Sequence, residues 1–450
     1  MKKAAFYTLG CKVNQYETEA MAELFADSGY EIKEFTEVAD VYVINTCSVT
    51  NMGDRKSRQI IRRAKKLNPN AVIAVTGCYA QTAPDEVLAI EGVNLVLGTK
   101  DRKNIVTLVE ELNTESNINH VSDIMSNHEF EELQIKQYSN RTRAFIKIQE
   151  GCNQFCSYCI IPYARGRVRS RKPEDVEAEV KGLVARGYRE VVLTGIHLSS
   201  YGTEHMEGSP VKGGDWDSGP LWDLIERIHR VEGLERIRLG SLEPRIITRE
   251  FAEKLAGLPE FCPHFHLSLQ SGCDATLKRM NRHYTTEDYL RRCGILREIF
   301  DHPAITTDVI AGFPGETEEE FEETRRFLET VRFYEMHVFK YSKRQGTRAA
   351  VMEDQVSEQV KARRSDVLLE LEKTMSREYR ERFAGSRVSV LFEEAAEIGG
   401  KWYMMGHTPQ YVRAALPLED GMNREEFGGR IMELFASGLL NDEMLKVEFS

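Results

Sequence analysis

The sequence predicts an α/β protein of several domains: an N-terminal doubly wound parallel sheet, a central partial (β/α)6 barrel and a small C-terminal β domain. Three observations support this fold class. A chain of 450 residues exceeds the size at which one hydrophobic core keeps growing. Up to residue 341, short apolar runs alternate with helical patterns, which indicates parallel strands joined by helices. Near the end of the chain, apolar and polar residues alternate as in small antiparallel β structures.

Residues 1–112 are predicted to form the doubly wound sheet, with a helix over Glu17–Ser28. Its apolar runs are Ala4–Leu9, Val41–Asn45, Val72–Thr76 and Asn94–Leu97. Cys11, Cys47 and Cys78 each follow one of these runs. Because ligands of such sheets bind beyond the carboxyl ends of the strands, these thiols can converge on one metal site. For each cysteine taken alone, a small buried core residue is the ordinary alternative.

The remaining chain divides into four segments. Residues 113–140 are polar and aperiodic, which predicts a linker. Residues 141–352 are predicted to form the barrel, with helices over Pro173–Arg186 and Glu318–Val331. The six candidate barrel strands are Ala144–Gln149, Glu190–Thr194, Arg236–Leu239, His264–Leu269, Ile305–Ile310 and His337–Tyr341. Residues 353–382 predict a charged connecting helix, and residues 383–450 the β domain.

The loop after the first barrel strand is the most informative part of the chain. It reads GCNQFCSYC and carries Cys152, Cys156 and Cys159 at C-x3-C-x2-C spacing. Such a loop can direct three sulfurs at three irons of one cubane cluster and leave the fourth iron open. Most iron–sulfur clusters are closed by four cysteines, whereas a metal site one ligand short can bind a substrate. The alternative, a structural zinc loop, uses a fourth ligand nearby, and no further Cys or His lies close in sequence.

Other loops at the carboxyl ends of the predicted barrel strands suit a nucleoside-like cofactor. The predicted cofactor contacts are Gly195, Ser241, Glu243, Gln270 and Asp308. Glycine lets the backbone approach a ligand closely, and the polar groups can hold ribose or amino groups. Taken singly, each loop is equally well explained as an ordinary turn after a strand. The last three thiols, Cys262, Cys273 and Cys293, have no ligand spacing and are predicted to pack in the core.

Charge is distributed unevenly along the chain. The net charge is −11, which argues mildly against a nucleic-acid partner. However, residues 55–66 contain seven Lys or Arg and no acid, and residues 141–172 contain eight bases and one acid. Local patches attract phosphate more than a global sum repels it. The predicted RNA contacts are Arg55, Arg58, Arg62, Arg63, Arg165, Arg167 and Arg171. A solvated helix face is the alternative for residues 55–66.

Composition predicts a cytoplasmic protein. Nine scattered cysteines suit a reducing compartment better than a disulfide framework. No apolar stretch reaches the roughly 18–20 residues of a membrane span, and the N-terminus lacks a secretory core. We therefore expect no membrane partner.

The motifs together resemble those of the radical SAM (S-adenosylmethionine) methylthiotransferases over essentially the full length. Residues 8–19 read TLGCKVNQYETE and, with residues 45–47 (NTC) and 76–78 (TGC), are similar to the branch that acts on threonylcarbamoyladenosine in tRNA. Sister branches carry Gln-Met-Asn or Pro-Lys-Asn after the first cysteine. Residues 161–167 (IPYARGR) and 170–171 (SR) also match the family, whose domain order is a cluster domain, a radical SAM barrel and a TRAM domain.

The resemblance implies two [4Fe–4S] clusters, SAM and a tRNA substrate. Cys152, Cys156 and Cys159 would hold the cluster that reduces SAM to a deoxyadenosyl radical. Cys11, Cys47 and Cys78 would hold the auxiliary cluster, which delivers a methylthio group to C2 of the adenosine beside the anticodon. The chemistry is borne by the cofactors, so no side chain is predicted to be catalytic. An electron donor such as flavodoxin or ferredoxin is expected.

Two alternatives stay open at this point. The same chemistry could act on isopentenyladenosine in tRNA or on a ribosomal-protein aspartate. Alternatively, the chain could be a noncatalytic iron–sulfur protein that binds RNA or senses redox state.

Overall fold

A computed structural model describes residues 1–112, 116–136, 142–205, 215–419 and 426–449. Within these residues the chain forms three units in the predicted order: a parallel sheet, a partial barrel and a small closed β barrel. The α/β fold class is therefore confirmed.

The N-terminal sheet has six parallel strands in the order β2-β1-β3-β4-β5-β6. The strands are β1 Lys3–Thr8, β2 Glu31–Lys33, β3 Val41–Thr46, β4 Val72–Gly77, β5 Leu95–Leu97 and β6 Ile118–His120. The helices are α1 Lys12–Asp27, α2 Asn51–Leu67, α3 Cys78–Thr82, α4 Pro84–Leu88 and α5 Ile105–Glu110. Met21 and Phe25 of α1 pack on one face, and Ile61 and Ala64 of α2 pack on the other. Helices on both faces make the sheet doubly wound.

The predicted linker is partly structured. Its residues 116–136 add β6 to the edge of the N-terminal sheet, and Leu133 and Ile135 are buried in the barrel core. Residues 113–115 and 137–140 of this segment lie outside the described part. The sequence pattern missed β6 because all three of its residues are exposed and leave no apolar run.

Six parallel strands form the central partial barrel. They are β7 Arg143–Glu150, β9 Glu190–Gly195, β10 Arg236–Leu239, β11 His264–His266, β12 Ala304–Ala311 and β13 Glu335–Lys340, with the short β8 Arg169–Ser170 antiparallel to β7. Isolated bridges link β10 to the β11 segment. The barrel helices are α6 Ile161–Arg165, α7 Pro173–Ala185, α8 Gly219–Ile228, α9 Arg249–Ala256, α10 Asp274–Arg279, α11 Thr286–Ile299 and α12 Glu318–Val331.

The long helix α13, Glu358–Glu381, connects the barrel to a closed β barrel with strand order β14-β15-β16-β18-β17. These strands are β14 Arg387–Ile398, β15 Lys401–His407, β16 Arg413–Pro417, β17 Ile431–Asn441 and β18 Met444–Glu448. Short 3-10 turns span Arg102–Asn104, Ile124–Ser126, Leu198–Ser200, Thr203–His205, Pro244–Ile246 and Arg348–Val351. None of the described helices is both long and apolar enough to span a bilayer.

Candidate functional site

Three neighbouring strands bring the N-terminal cysteines together. Cys47 directly follows β3, Cys78 is the first residue of α3 after β4, and Cys11 caps the start of α1 after β1. Because β1, β3 and β4 are adjacent, their carboxyl ends share one edge of the sheet. Burial, followed by the nearby Cys78, raises the pKa of Cys47 to about 12, and Cys11 contributes to the same shift. The structure brings these three thiols to one edge of the sheet, and their binding of a metal cluster stays a prediction.

Asn14 ties together the two loops that carry Cys11 and Cys47. Its side-chain amide donates to the carbonyl of Leu9 at 2.7 Å and to that of Thr46 at 3.0 Å. Gly10 has a positive φ of 102°, and a Cβ there would stand 2.9 Å from the Cβ of Cys47. Only glycine therefore fits between the two cysteines without moving them.

The second trio lies on the loop after β7. The backbone N–H of Cys152 donates to the carbonyl of Gly166, and that of Cys159 donates to the carbonyl of Cys156, both at 3.0 Å. Burial, followed by the nearby Cys156, raises the pKa of Cys152 to about 12, and burial also raises that of Cys159. These mutual shifts place the three thiols in one site.

Contacts from distant parts of the barrel hold this loop in shape. The Asn281 amide donates to the carbonyls of Gln154 and Phe155, and the Ser157 hydroxyl donates to the carbonyl of Arg279 at 2.8 Å. A Cβ on Gly151, whose φ is 75°, would lie 1.8 Å from the carbonyl oxygen of Arg167. The loop is therefore preorganised before any metal binds.

The spacing of both trios disfavours a mononuclear zinc site. Among the described residues, only His266, Asp308 and His337 bring three potential ligand atoms within 4.8 Å of one another. Zn–S bonds of about 2.3 Å in a tetrahedral site would place sulfurs roughly 3.8 Å apart. Neither cysteine trio has all three sulfurs within 4.8 Å of one another, so neither is already at the spacing of a mononuclear zinc site.

A positively charged arginine donates to one sulfur of each trio. Arg282 Nη1 lies 3.4 Å from Cys156 Sγ, and Arg165 Nε lies 3.3 Å from Cys78 Sγ. Hydrogen bonds to ligand sulfurs and nearby positive charge stabilise bound thiolates and tune a cluster's potential. The donor chemistry of both trios therefore fits an iron–sulfur cluster.

Arg165 also joins the two trios through a buried ionic network. Its Nη1 binds Glu17 of α1 at 2.5 Å and Glu150 at 2.7 Å, and Glu150 stands two residues before Cys152. Arg102 and Lys147 complete the network on the same two carboxylates. Burial opposes ionisation of Glu17, but the cations outweigh it and lower its pKa to about 2. The N-terminal sheet is thus fixed to the barrel beside both trios.

A second bridge reaches from the end of the barrel to the loop after Cys47. Arg344 donates to the Ser48 hydroxyl at 2.7 Å and pairs with Asp54 at 2.7 Å. In the same segment, the N–H of Ala349 donates to the carbonyl of Ser157 in the second cysteine loop. Both trios therefore lie at one junction between the N-terminal sheet and the barrel.

Two of the predicted cofactor contacts are already engaged by protein. Gly195 packs against Gln149, whose Cβ and Oε1 would each lie 2.9 Å from a Cβ at that position. Glu243 is buried, and its carboxylate accepts from the Arg245 side chain and backbone at 2.8 and 2.9 Å. Close packing against Gln149 accounts for a glycine at position 195, and no ligand is needed to explain it. Ser241 is exposed.

The other two lie on neighbouring parts of the barrel. Gln270 is buried with a positive φ of 75°, a strained conformation for a non-glycine residue. Asp308 stands between His266 and His337, with nitrogen–oxygen distances of 3.2 Å to both. Burial opposes its ionisation, but the two histidines hold the pKa of Asp308 below its ordinary range. Contact of these residues with SAM stays a prediction.

The predicted RNA contacts divide into exposed and buried residues. Arg55, Arg62 and Arg63 are exposed on α2, whereas Arg58 is half-buried and donates to Tyr79 and Glu86. Arg167 is exposed, with its guanidinium 5.0 Å from the Phe155 ring centroid.

Two of these predictions are wrong. Arg165 is completely buried in the network described above. Arg171 is also buried and pairs with Glu179 and Glu132. A count of charges along the chain cannot separate an exposed basic patch from internal ion pairs.

Sequence reasoning missed Glu17, Arg102 and Arg282. Glu17 lies within the motif of residues 8–19 and on the buried face of α1, and a charged residue among the apolar positions of a helix is a signal that could have pointed to it. Arg102 and Arg282 lie in turns without any motif.

Comparison with known proteins identifies the family. Residues 146–328 match the radical SAM superfamily, and residues 3–98 match an uncharacterized protein family, UPF0004. Threonylcarbamoyladenosine tRNA methylthiotransferase MtaB of Bacillus subtilis (strain 168) is 48% identical over 92% of this chain and 90% of its own. The chain belongs to the radical SAM methylthiotransferase family.

Other methylthiotransferases are similar over most of their length. The Aquifex aeolicus (strain VF5) protein with the same name is 40% identical, over 87% of this chain and 93% of its own. The tRNA-2-methylthio-N(6)-dimethylallyladenosine synthase of Thermoanaerobacter sp. (strain X514) is 39% identical, over 86% and 81%. Among solved structures, the radical SAM methyltransferase TsrM from Kitasatospora setae, with cobalamin and a [4Fe-4S] cluster bound, has a TM-score of 0.54 at 16% identity. It covers 78% of this chain and 77% of its own, a likeness of fold.

Proposed function

We propose that this methylthiotransferase adds a methylthio group to C2 of N6-threonylcarbamoyladenosine beside the anticodon of tRNA. The observation that carries the proposal is the 48% identity to the Bacillus subtilis threonylcarbamoyladenosine enzyme over 92% of the chain. The dimethylallyladenosine enzyme is 39% identical over 86%. This difference favours the threonylcarbamoyl substrate over the alkylated one.

In this proposal each cysteine trio holds one [4Fe–4S] cluster. Cys152, Cys156 and Cys159 bind the cluster whose open iron takes SAM, and Cys11, Cys47 and Cys78 bind the auxiliary cluster. When bound, the first cluster and SAM supply the radical chemistry at C2, and the second supplies the sulfur. Support comes from the all-thiol donor sets, their open spacing and the N–H donor at one sulfur of each trio.

The chain itself does positional and electrostatic work. Asn14 fixes the loops of Cys11 and Cys47, while the contacts of Asn281 and Ser157 fix the second loop. Arg165 and Arg282 place positive charge beside the thiolates, which lowers the cost of keeping them ionised. The network around Glu17 holds the two trios in one relative position, as a transfer between two sites requires.

Other residues of the chain are proposed to bind SAM and tRNA. Ser241, Glu243, Gln270 and Asp308 are proposed to contact SAM. The exposed Arg55, Arg62, Arg63 and Arg167 are proposed to contact tRNA phosphates, because each phosphate neutralised adds salt-dependent affinity. We expect a small electron-transfer protein such as flavodoxin or ferredoxin to reduce the first cluster, and we propose that the reaction takes place in the cytoplasm because its substrate is tRNA.

Mass spectrometry of tRNA nucleosides from a deletion strain tests the substrate. Loss of the methylthio form of threonylcarbamoyladenosine alone is the expected result. Loss of the methylthio form of isopentenyladenosine instead would assign the sister substrate, and an unchanged profile would remove both. Reconstituted protein with dithionite and SAM should also release 5′-deoxyadenosine, which a noncatalytic iron–sulfur protein would not do.

A further inference from the structure

Lys12 carries a positive charge that no protein carboxylate balances directly. It is the first residue of α1, next to Cys11, and is half-buried. Its ammonium lies 5.7 Å from the ring centroid of Phe145 and 6.0 Å from that of Tyr411. Among the described residues, none accepts a hydrogen bond from Nζ or places a carboxylate within 4.0 Å of it. A sheltered cation of this kind is a strong anion-binding group.

The carboxylates near Lys12 are already paired with arginines. Arg143 pairs with Glu393 at 3.0 Å, and Arg238 pairs with Glu190 at 2.8 Å, an acid it shares with Arg236. Three arginines therefore share two carboxylates, and Lys12 adds a further positive charge. Burial lowers the pKa values of the two neighbouring histidines, His264 and His407, so they are neutral and do not change this balance of charge. The region has a surplus of positive charge.

Aromatic rings from two domains surround Lys12, and we name this group of residues the Lys12 cluster. It consists of Lys12, Arg143, Phe145, Arg238, His264 and Tyr411. Tyr411 comes from the C-terminal domain, has a positive φ of 68°, and stacks on His264 with ring centroids 5.1 Å apart. The guanidinium groups of Arg143 and Arg238 lie 4.9 and 4.8 Å from the same ring centroid. The neighbouring rings limit the exposure of Lys12 to water, and the nearby arginines add positive charge, so both strengthen attraction of an anion.

The chemistry of the proposed substrate supplies one such anion. The threonylcarbamoyl group on N6 ends in a carboxylate, whereas an N6-alkyl group is neutral. Lys12 is adjacent in sequence to Cys11, so the Lys12 cluster adjoins the site proposed to deliver sulfur to the same base. We propose that Lys12 is a specificity-determining residue that binds the carboxylate of the threonylcarbamoyl group. This inference rests on the proposed function and names how the substrate is told apart from alkylated adenosines.

A backbone phosphate is the other anion that tRNA carries. The half-buried position of Lys12 behind Phe145 and Tyr411 favours a small group at the end of a side chain. The arginines of α2 are exposed, so a backbone phosphate can reach them directly. The carboxylate is present only when the adenosine carries the threonylcarbamoyl group, whereas backbone phosphates are present in every tRNA. The test uses this difference.

The expected discrimination is large. A substrate with a neutral N6 group leaves Lys12 desolvated and unpaired, and the loss of one partner from a sheltered ion pair weakens binding by roughly 30-fold or more. Lys12→Gln should therefore weaken binding of the threonylcarbamoyl substrate by about this factor and change binding of a neutral analogue little. Lys12→Arg keeps the charge and should retain most of the preference.

The experiment uses the anaerobically reconstituted full chain and three anticodon stem-loops. These RNAs carry threonylcarbamoyladenosine, its methyl ester or unmodified adenosine. Dissociation constants are measured for all three, and kcat/KM of methylthiolation for the acid and the ester. Lys373→Met, which removes an exposed lysine paired with Glu370 on α13, is the matched control. Iron content and melting temperature verify that each variant is folded and loaded.

The inference is supported if the unsubstituted protein prefers the acid to the ester by about 30-fold or more and Lys12→Gln removes that preference. Equal binding of acid and ester by the unsubstituted protein would overturn it, whether or not the variant folds. Equal weakening of all three RNAs by Lys12→Gln would assign Lys12 to a phosphate and also overturn it. Failure of the unsubstituted protein to methylthiolate the acid would instead overturn the proposed function, and this inference with it.

Discussion

Glu17→Gln tests the buried network that joins the N-terminal sheet to the barrel. Glu17 is completely buried, and its carboxylate binds Arg102 and Arg165 at 2.5 Å and Lys147 at 3.1 Å. Glutamine keeps the size of the side chain and removes its charge. Three cations then share Glu150 and Glu131 as their remaining carboxylates.

Two separate arguments give the expected loss in the free energy of unfolding. Removal of one partner from a buried ion pair costs about 3–5 kcal/mol. The pKa of Glu17, about 2 against an ordinary 4.5, corresponds to about 3 kcal/mol of stabilisation at neutral pH. At roughly 2 °C per kcal/mol for a unit of the barrel's size, the apparent melting temperature should fall by about 6 °C.

Thermal unfolding at neutral pH, followed by circular dichroism, measures this difference. Glu34→Gln, at an exposed position of the same domain, is the control and should change stability by less than about 0.5 kcal/mol. The pKa of Glu17 is depressed on folding, so its stabilisation is complete above pH 4.5 and is lost as pH falls toward 2. The difference in melting temperature between Glu17→Gln and Glu34→Gln should therefore shrink as the pH falls from 4.5 toward 2. Equal melting temperatures for Glu17→Gln and Glu34→Gln would refute the reasoning.

Three further predictions concern the cysteine trios and RNA. Cys156→Ala should abolish reductive SAM cleavage, whereas Cys47→Ala should leave cleavage largely intact and stop methylthiolation; equal loss of both activities would argue against separate roles. Arg282→Met removes the N–H donor to Cys156 and its positive charge, so a redox titration should show a potential lower by roughly 60 mV or more, and an unchanged potential would contradict this. Replacement of Arg62 and Arg63 by Gln should weaken tRNA binding and flatten its salt dependence, and an unchanged slope would leave α2 as a solvated face.

The sequence predicted those parts of the fold that leave an apolar run. Strands β1, β3 and β4 are such runs, and the cysteines that follow them converge as expected. Strands β2, β6 and β8 have two or three residues each and left no signal. Strand β11 ends at His266, earlier than the apolar pattern suggests, because the chain then enters the loop toward Gln270.

Long-range ion pairs were beyond reach of the sequence. Arg165 and Glu17 are 148 residues apart, and no local pattern links them. The count of basic residues therefore predicted an RNA contact for Arg165, although its partners Glu17 and Glu150 lie inside the protein. Lys12 belongs to the motif of residues 8–19, but its lack of a carboxylate partner among the described residues is a property of the folded chain that the motif does not show.

Each cysteine trio is proposed to hold its own [4Fe–4S] cluster. Iron and sulfide analysis with Mössbauer spectroscopy of anaerobically purified protein tests it most directly. We expect about eight irons per chain, and about four after substitution of either whole trio by alanine. About four irons in the unsubstituted protein, or zinc in place of iron, would contradict it.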